Sequence, residues 1–361
     1  MVTIGQCFDP RSNNFDIIRL TAACLVVVSH SFSMLGHREP VAHWLGGYDT
    51  GGGWAVSIFF IVSGFLIAKS CMERSFFVYI SSRIARIIPA LAALLLFDVL
   101  IIGPLFTQHP ISVYFSSLDT LKHLASVSVF YQATGLPGVF GDGVVNGTIW
   151  TLPIEFACYL VLPVLLFLGA LRKWFIIIPL GLVAYLYASA SQSGLHWANQ
   201  GGEIFYGLPY YSTLKNSLFF MIGATMWVHR DHIPIASPLA LLSISLLVLG
   251  AFGILKMTVF YIGLSYLTIY VSIARPWPIE LHKSVGDLSY GIYLYGFPIQ
   301  KSVIVSGLIK SLTPLSLTFV SLPIVLILAY ASWWVIERPS LQWRKKRQTG
   351  SDFIPPLQAG P

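Results

Sequence analysis

The 361 residues are 55% hydrophobic and only 10% charged, with a mean hydropathy of +0.73, which excludes a soluble globular domain and indicates a polytopic membrane protein. The net charge of +7 reads as membrane topology and contact with anionic headgroups rather than nucleic-acid binding, because the basic residues collect in the joints between apolar runs. Four cysteines, Cys7, Cys24, Cys71 and Cys158, show no metal-ligand spacing and imply no disulfide.

The first sixteen residues, "MVTIGQCFDPRSNNFD", are too long and acidic for a signal-peptide n-region, so the first apolar run is expected to remain as helix one. Apolar runs of roughly 17 to 23 residues then recur, the length needed to cross a hydrocarbon core of about 30 Å. In chain order they are Ile17 to Ser33, Trp54 to Ala68, Ile84 to Phe106, Ile149 to Leu171, Trp174 to Ala190, Ser212 to Val228, Ile235 to Leu255, Met257 to Ala274, Leu288 to Ile309 and Leu315 to Ile336. The expected fold is all-α, a polytopic bundle of about ten transmembrane helices. An inside N-terminus puts Arg74, Arg83, Arg86, Arg172, Lys173, Arg230, Arg275, Lys283 and the run Arg344 to Arg347 in the cytoplasm. Only Arg38, Lys122, Lys215, Lys256 and Lys310 then lie outside, so both termini are expected to be cytoplasmic. The chain divides into an N-terminal segment, residues 1–16, a transmembrane domain, residues 17–336, and a basic tail, residues 337–361.

The longest stretch read as non-helical, Thr107 to Thr148, is external and carries Gly135, Pro137, Gly138, Gly141, Gly143 and Gly147. Its apolar patch, Val127 to Tyr131, suits the membrane interface, and a long glycine-rich loop is where substrate specificity is expected. A second external loop, Ser191 to Tyr211, is polar and aromatic, with His196, Trp197, Asn199, Gln200 and Glu203. No internal repeat is visible, which weighs against the repeat-built transporters. The sequon Asn146-Gly147-Thr148 abuts helix four and is treated as coincidence.

An ionisable side chain inside a bilayer costs about 2.5 to 3.5 kcal/mol on insertion scales, so each one is a candidate for function. Arg19 and His30, in "RLTAACLVVVSH", are eleven residues apart: three helical turns plus roughly 20°, and roughly 16 Å along the axis. They share one face, and read as the two ends of a polar track. Snorkelling remains the alternative for Arg19, and an interhelical hydrogen bond for His30. Ser63-Gly64, in "FFIVSGFLIAKS", reads first as a close helix contact. In "SSRIARIIPA", Arg83 and Arg86 are spaced i, i+3 at the expected cytoplasmic start of helix three, where two guanidiniums and a helix end suit phosphate oxygens. Topology alone also accounts for them. Glu155, in "NGTIWTLPIEF", could orient His30 or pair with an arginine, or form a structural salt bridge. Asp98 reads as structural, and Asp287, in "GDLSYGIYLYGFPI", as the N-cap of helix nine.

Taken in order, "FDIIRLTAACLVVVSH", "SIFFIVSGFLI", "RIARIIP", "NGTIWTLPIEF", "LSYGIYLYGFPI" and the closing "IERP" resemble the integral-membrane acyltransferase family three. Its members O-acylate cell-surface polysaccharides, lipopolysaccharide, peptidoglycan and related glycans. The resemblance implies acyl-coenzyme A, with acetyl-coenzyme A foremost, as the cytoplasmic donor, and a cell-surface glycan or lipid-linked sugar as the external acceptor. Where many relatives end the helix-nine motif with a histidine, this chain has Gly296. No attached hydrolase-like domain is present, so the membrane unit is expected to perform the transfer.

The site expected is His30 as general base, Glu155 fixing its imidazole, and Arg19 lining the donor path. A covalent acyl-histidine relay is the variant. Donor binding is assigned to Arg83, Arg86 and Ser63, acceptor binding to Asn146, Trp150 and Tyr290, and no metal is required. The expected location is a bacterial inner (cell) membrane, with lipids as partners. The rival reading is a secondary transporter or exporter in which Arg19, His30 and Glu155 form a polar relay.

Overall fold

The computed structural model describes residues 2–44, 49–141, 144–195, 201–205, 207–251, 258–275 and 285–351. Gly143, His196, Trp197, Asn199, Gln200, Lys256, Lys283 and the tail beyond residue 351 lie outside the described residues. Helix makes up 73% of the structure. Among the described residues the one named sheet is a small hairpin, Glu203–Phe205 with Leu208–Pro209, so burial of backbone polar groups rests on helices, as an apolar chain requires.

Each apolar run contains a helix. The principal helices are α1 (Phe15–Met34), α2 (Gly51–Glu73), α3 (Phe76–Phe97), α4 (Leu152–Phe167), α5 (Ile177–Gln192), α6 (Tyr210–Val228), α7 (Ser237–Ala251), α8 (Thr258–Ile273), α9 (Ser289–Val305) and α10 (Pro314–Ser332). Among the described residues, five helical stretches are long and apolar enough to cross a membrane: Phe15–Met34, Gly51–Glu73, Phe76–Phe106, Ile149–Phe167 and Pro314–Arg344. Ile177–Gln192, Ser237–Leu249 and Phe260–Ile273 are shorter apolar helices.

Three sequence expectations are corrected here. First, α3 starts at Phe76 rather than Ile84, so Arg83 stands two turns inside the helix and the helix end cannot contribute to anion binding by Arg83 and Arg86. Serines and arginines lowered the apparent hydropathy of turns that the fold keeps helical. Second, the stretch Thr107 to Thr148 is not helix-free. It holds the helices Ile111–Ser116 and Leu118–Ala125, anchored where the Tyr114 hydroxyl donates to the Val99 carbonyl at 3.0 Å. Third, the chain stays helical past residue 336, through Arg338–Ser351, and this segment lies along α3. Ser340 donates to the Ala85 carbonyl and Arg344 to the Val78 carbonyl, both at 3.2 Å.

Both α3 and α10 run into π-helical turns, Asp98–Ile102 and Trp333–Glu337. Such turns insert one residue and re-aim a side chain, and each here carries a buried carboxylate. Asp98 meets the ring of His123 at 3.3 Å, tying α3 to the helix Leu118–Ala125. Glu337 is aimed back at α3.

At the centre, α2 packs on α1 and α6. A Cβ at Gly64 would run into the Phe220 carbonyl, and one at Gly223 into the Ile61 carbonyl, so these two glycines set the separation of α2 and α6. The N-terminal segment is a strap across one end of the bundle. Ile4 and Gly5 donate to the Ile233 and Arg230 carbonyls at 2.9 Å, while Phe8 packs its ring against Phe65 and Trp227. The Asn14 amide donates to the Val271 and Arg275 carbonyls at 2.8 and 2.9 Å, satisfying carbonyls at the end of α8.

Near that end, four helices are joined by one ionic network. Asp287 lies just before α9, and its Oδ2 faces Arg19 of α1 at 3.2 Å and Arg86 of α3 at 2.6 Å. Arg86 also reaches Glu337, beyond α10, at 3.2 Å, and Arg19 pairs with Asp16. The other Asp287 oxygen accepts from the Ser289 hydroxyl at 2.6 Å and the Ser289 amide at 3.3 Å. The N-cap of α9 is Leu288 rather than the expected Asp287, which instead holds the first helical residue, Ser289, from one position further back. Burial favours the neutral form of Asp287, but Arg19 and Arg86 beside it hold its pKa below the usual carboxylate range.

Two variants test this packing. Gly64→Ala forces a methyl group into backbone and should cost roughly 1–3 kcal/mol or more in thermal unfolding of the detergent-solubilised protein. Gly181→Ala, with open space around its Cβ, should be neutral. Asp287→Asn leaves two guanidiniums without their shared carboxylate and should destabilise by about 3–5 kcal/mol in the same assay. Replacing Arg86 by Gln in that background should recover part of the loss if the pairs couple as described.

Candidate functional site

Five helical elements converge on an internal cavity of ≈ 140 Å³. Arg19 comes from α1, Ser63 from α2, Arg83 and Arg86 from α3, Glu155 and Tyr159 from α4, and Tyr290 and Tyr293 from α9. Along α2 the lining runs from Val56 to Ile67, eleven residues or about 16 Å. Val56, Phe59, Thr151 and Tyr293 line one part; Arg19, Leu66, Ile67 and Arg83 are shared with a second, polar depression of ≈ 420 Å³ at the mouth. The cavity thus grades from a charged opening to a largely apolar interior.

Its polar centre is Glu155. The carboxylate accepts from the Ser63 hydroxyl at 3.2 Å and from the Tyr159 hydroxyl, which lies one helical turn on. Ser63 and Tyr159 are themselves 3.4 Å apart. The Arg83 guanidinium sits 5.8 Å from the centre of the Tyr159 ring and its Nε donates to the Ser82 hydroxyl at 3.0 Å. A carboxylate, two hydroxyls and a guanidinium therefore face one space, a set able to bind an anion and polarise a carbonyl.

The spacing argument paired Arg83 with Arg86, and the structure separates them. Arg86 is engaged by Asp287 and Glu337 and lies 5.6 and 5.7 Å from the Tyr290 and Trp333 rings. It lines the cavity with its guanidinium already paired to two carboxylates, whereas Arg83 has no carboxylate partner among the described residues. Tyr290 lines the cavity while its hydroxyl donates to the Ile87 carbonyl at 3.2 Å.

His30 does not line the cavity. Its ring meets Phe297 edge-on at 5.6 Å, and its Nδ1 is buried without a hydrogen-bond partner among the described residues. The expected pairing with Glu155 is absent, because Glu155 is bound by Ser63 and Tyr159. One turn before His30, Val26 packs with Ala22, Ala55 and Tyr293, and this apolar collar borders the inner cavity. Beside His30, Ser31 accepts from Gln300 at 2.7 Å and from Thr318 at 2.8 Å, tying α1 to α9 and α10. Gly296 faces Val27 of α1, where a Cβ would lie 3.0 Å from the Val27 methyl. A side chain there would need Val27 to give by a few tenths of an ångström.

Asn146 is buried and does not line the cavity. Its amide donates to the Leu294 carbonyl at 2.9 Å and its oxygen accepts from the Thr148 amide and hydroxyl at 3.0 and 2.7 Å. It ties the loop to α9. Trp150 is partly buried against the core rather than in the cavity.

Sequence reading missed Tyr159, Tyr293 and Glu337. Tyr159 stands four residues after Glu155, a spacing that places both on one helix face. Glu337 is the carboxylate of the closing "IERP". Tyr293 is one of a run of tyrosines, and only its partners distinguish it: its hydroxyl donates to the Thr148 carbonyl at 2.8 Å and meets the Thr151 hydroxyl at 2.6 Å.

Comparison with known proteins supplies the family. The acyltransferase domain family matches residues 12–338. An "O-acetyl transferase" of Shigella phage Sf6 is 31% identical over 336 residues, covering 91% of this chain and 96% of the relative. "Nodulation protein 10" of Rhizobium leguminosarum bv. viciae is 27% identical over 380 residues, covering 92% and 94%. No solved structure matches the chain. A match across nearly the whole transmembrane unit leaves one assignment: the chain belongs to the membrane acyltransferase family that its motifs resemble, and it is an acyltransferase.

Proposed function

We propose that this chain is an O-acyltransferase of a bacterial inner membrane, with about ten spans and both termini cytoplasmic. On this reading it moves an acyl group, acetyl foremost, from acyl-coenzyme A to a hydroxyl of a cell-surface glycan or glycolipid. One observation carries it: Arg19, Ser63, Arg83 and Glu155, drawn from four helices, line one cavity whose mouth lies beside the N-terminal strap. An anionic thioester donor suits a space with a cationic opening and an apolar interior. The name of the phage relative supports acetyl as the group transferred.

In the mechanism, Arg83 holds donor phosphate at the mouth, and the pantetheine arm follows α2 inward. Glu155, Ser63 and Tyr159 form the polar wall along which the thioester passes. The collar of Val26, Ala55 and Tyr293 opens so that the thioester carbonyl reaches His30. The acceptor hydroxyl gives its proton to the unoccupied Nδ1 of His30 as its oxygen attacks the carbonyl carbon. The carbon–sulfur bond then breaks, and the thiolate recovers a proton from the imidazolium. Asn146, Trp150 and Tyr290 act on this route through the packing of the loop and α9.

The test is acyl transfer by the purified protein in liposomes, read as thiol release from acetyl-coenzyme A. His30→Ala should slow it by at least roughly 10²-fold while thermal unfolding stays unchanged; a near-wild-type rate would remove His30 from the chemistry. Solute movement without thioester consumption would place the protein among transporters instead. For topology, a reporter fused after Arg347 should read cytoplasmic, and an external signal would overturn the span count.

A further inference from the structure

The mouth of the cavity carries more positive charge than its own carboxylates neutralise. Arg19 is paired with Asp16 and Asp287, and Lys69 with Glu73. Arg11, Arg74 and Arg83 line the same polar depression, yet none of them has a carboxylate partner among the described residues. Arg344, from the helix after α10, lies near them without lining the depression. It donates to the Val78 carbonyl at 3.2 Å, its Nε is buried without a partner, and it lies within electrostatic reach of Arg74 and Arg83.

Guanidiniums gathered without counter-charge repel one another, and the repulsion is relieved by an anion shared between them. Topology charges have no need to converge: the inside-positive rule is met by arginines spread along any loop. Here they come from four separate places, the strap (Arg11), the end of α2 (Arg74), the body of α3 (Arg83) and the C-terminal helix (Arg344). The space that Arg11, Arg74 and Arg83 line is three times the volume of the inner cavity, ≈ 420 against ≈ 140 Å³, and Arg83 belongs to both. Phe8 and Pro10 of the strap add apolar surface to the wall.

We propose that this depression is a subsite for a phosphorylated nucleotide, holding the diphosphate and 3′-phosphate of coenzyme A between Arg11, Arg74 and Arg83, with Arg344 adding positive potential from outside the lining. The inference rests on the acyl-coenzyme A reading and extends it: the Arg83–Arg86 motif supplies one phosphate ligand, and residues outside every motif supply the rest. The fork geometry of three guanidiniums suits three phosphate groups better than one, and Arg83 at the shared boundary directs the thioester arm inward. A phospholipid headgroup offers the same phosphate chemistry, so the experiment separates the two sources.

Full-length protein in phosphatidylcholine nanodiscs is titrated calorimetrically with coenzyme A, dephospho-coenzyme A and adenosine 3′,5′-bisphosphate. Arg11→Ala and Arg74→Ala, with unfolding temperatures as in the wild type, should each weaken coenzyme A binding by roughly tenfold, the loss of one charge-assisted contact. The loss should be smaller for dephospho-coenzyme A in at least one variant. Unchanged coenzyme A affinity in both variants overturns the subsite, and so does a change confined to phosphatidylglycerol retention in mixed-lipid nanodiscs. If the wild type binds none of the three nucleotides, both the subsite and the donor reading fall. If the wild type transfers acetyl groups from acetyl-coenzyme A while both variants bind coenzyme A normally, only the subsite falls.

Discussion

Two arginines that share one buried carboxylate hold the working end of this molecule together. Asp287 faces both Arg19 and Arg86, and Glu337 takes the far nitrogen of Arg86. A lone guanidinium at these positions would carry a desolvation cost that only a partner offsets. The pairing fixes the spacing of α1, α3, α9 and the end of α10, and hence the width of the cavity between them. The π turn at Trp333–Glu337 is part of the same device, since it presents Glu337 to the network.

The network also divides the labour between two residues of one motif. Arg83 and Arg86 are three positions apart, a step of about 300° around a helix, so their faces differ by roughly 60°. That offset sends Arg86 to the carboxylates near α9 and α10 and leaves Arg83 over Tyr159 at the opening. Arg86 ties helices together, and Arg83 has no carboxylate partner among the described residues. A positively charged pair with no such asymmetry would either lack the network or lack the free cation.

The track from Arg19 to His30 is interrupted for a comparable reason. Helical arithmetic puts both residues on one stripe of α1, and both do lie on that helix. Whether the stripe is open depends on what α2 and α9 bring against it. Ala55 and Tyr293 close on Ala22 and Val26, and Gly296 lets α9 settle against Val27. His30 is left beyond the collar, beside Phe297, whose ring in turn leaves no space for a side chain at Gly147. The space around His30 and the cavity around Glu155 are therefore separated by this collar.

Much of the fold was legible in the chain, because hydropathy runs and helix formation depend on residues near one another in sequence. The positions of helices, the polar residues Arg19, Ser63, Arg83 and Glu155 that line one cavity, and the family all followed from local patterns. Boundaries failed where polar residues stayed helical, as at Phe76 to Arg83, since no local signal tells a membrane helix from its extension. The partners of each polar group were also out of reach. Glu155 was expected at His30 and is bound by Ser63 and Tyr159; Arg86 was expected at a ligand and is bound by Asp287 and Glu337, 201 and 251 positions away. Local sequence determined which side chains are costly in a bilayer and therefore meaningful. Only the tertiary structure decided which of them neutralise one another and which remain free, because charge pairing depends on distances between helices that no spacing along one chain segment contains.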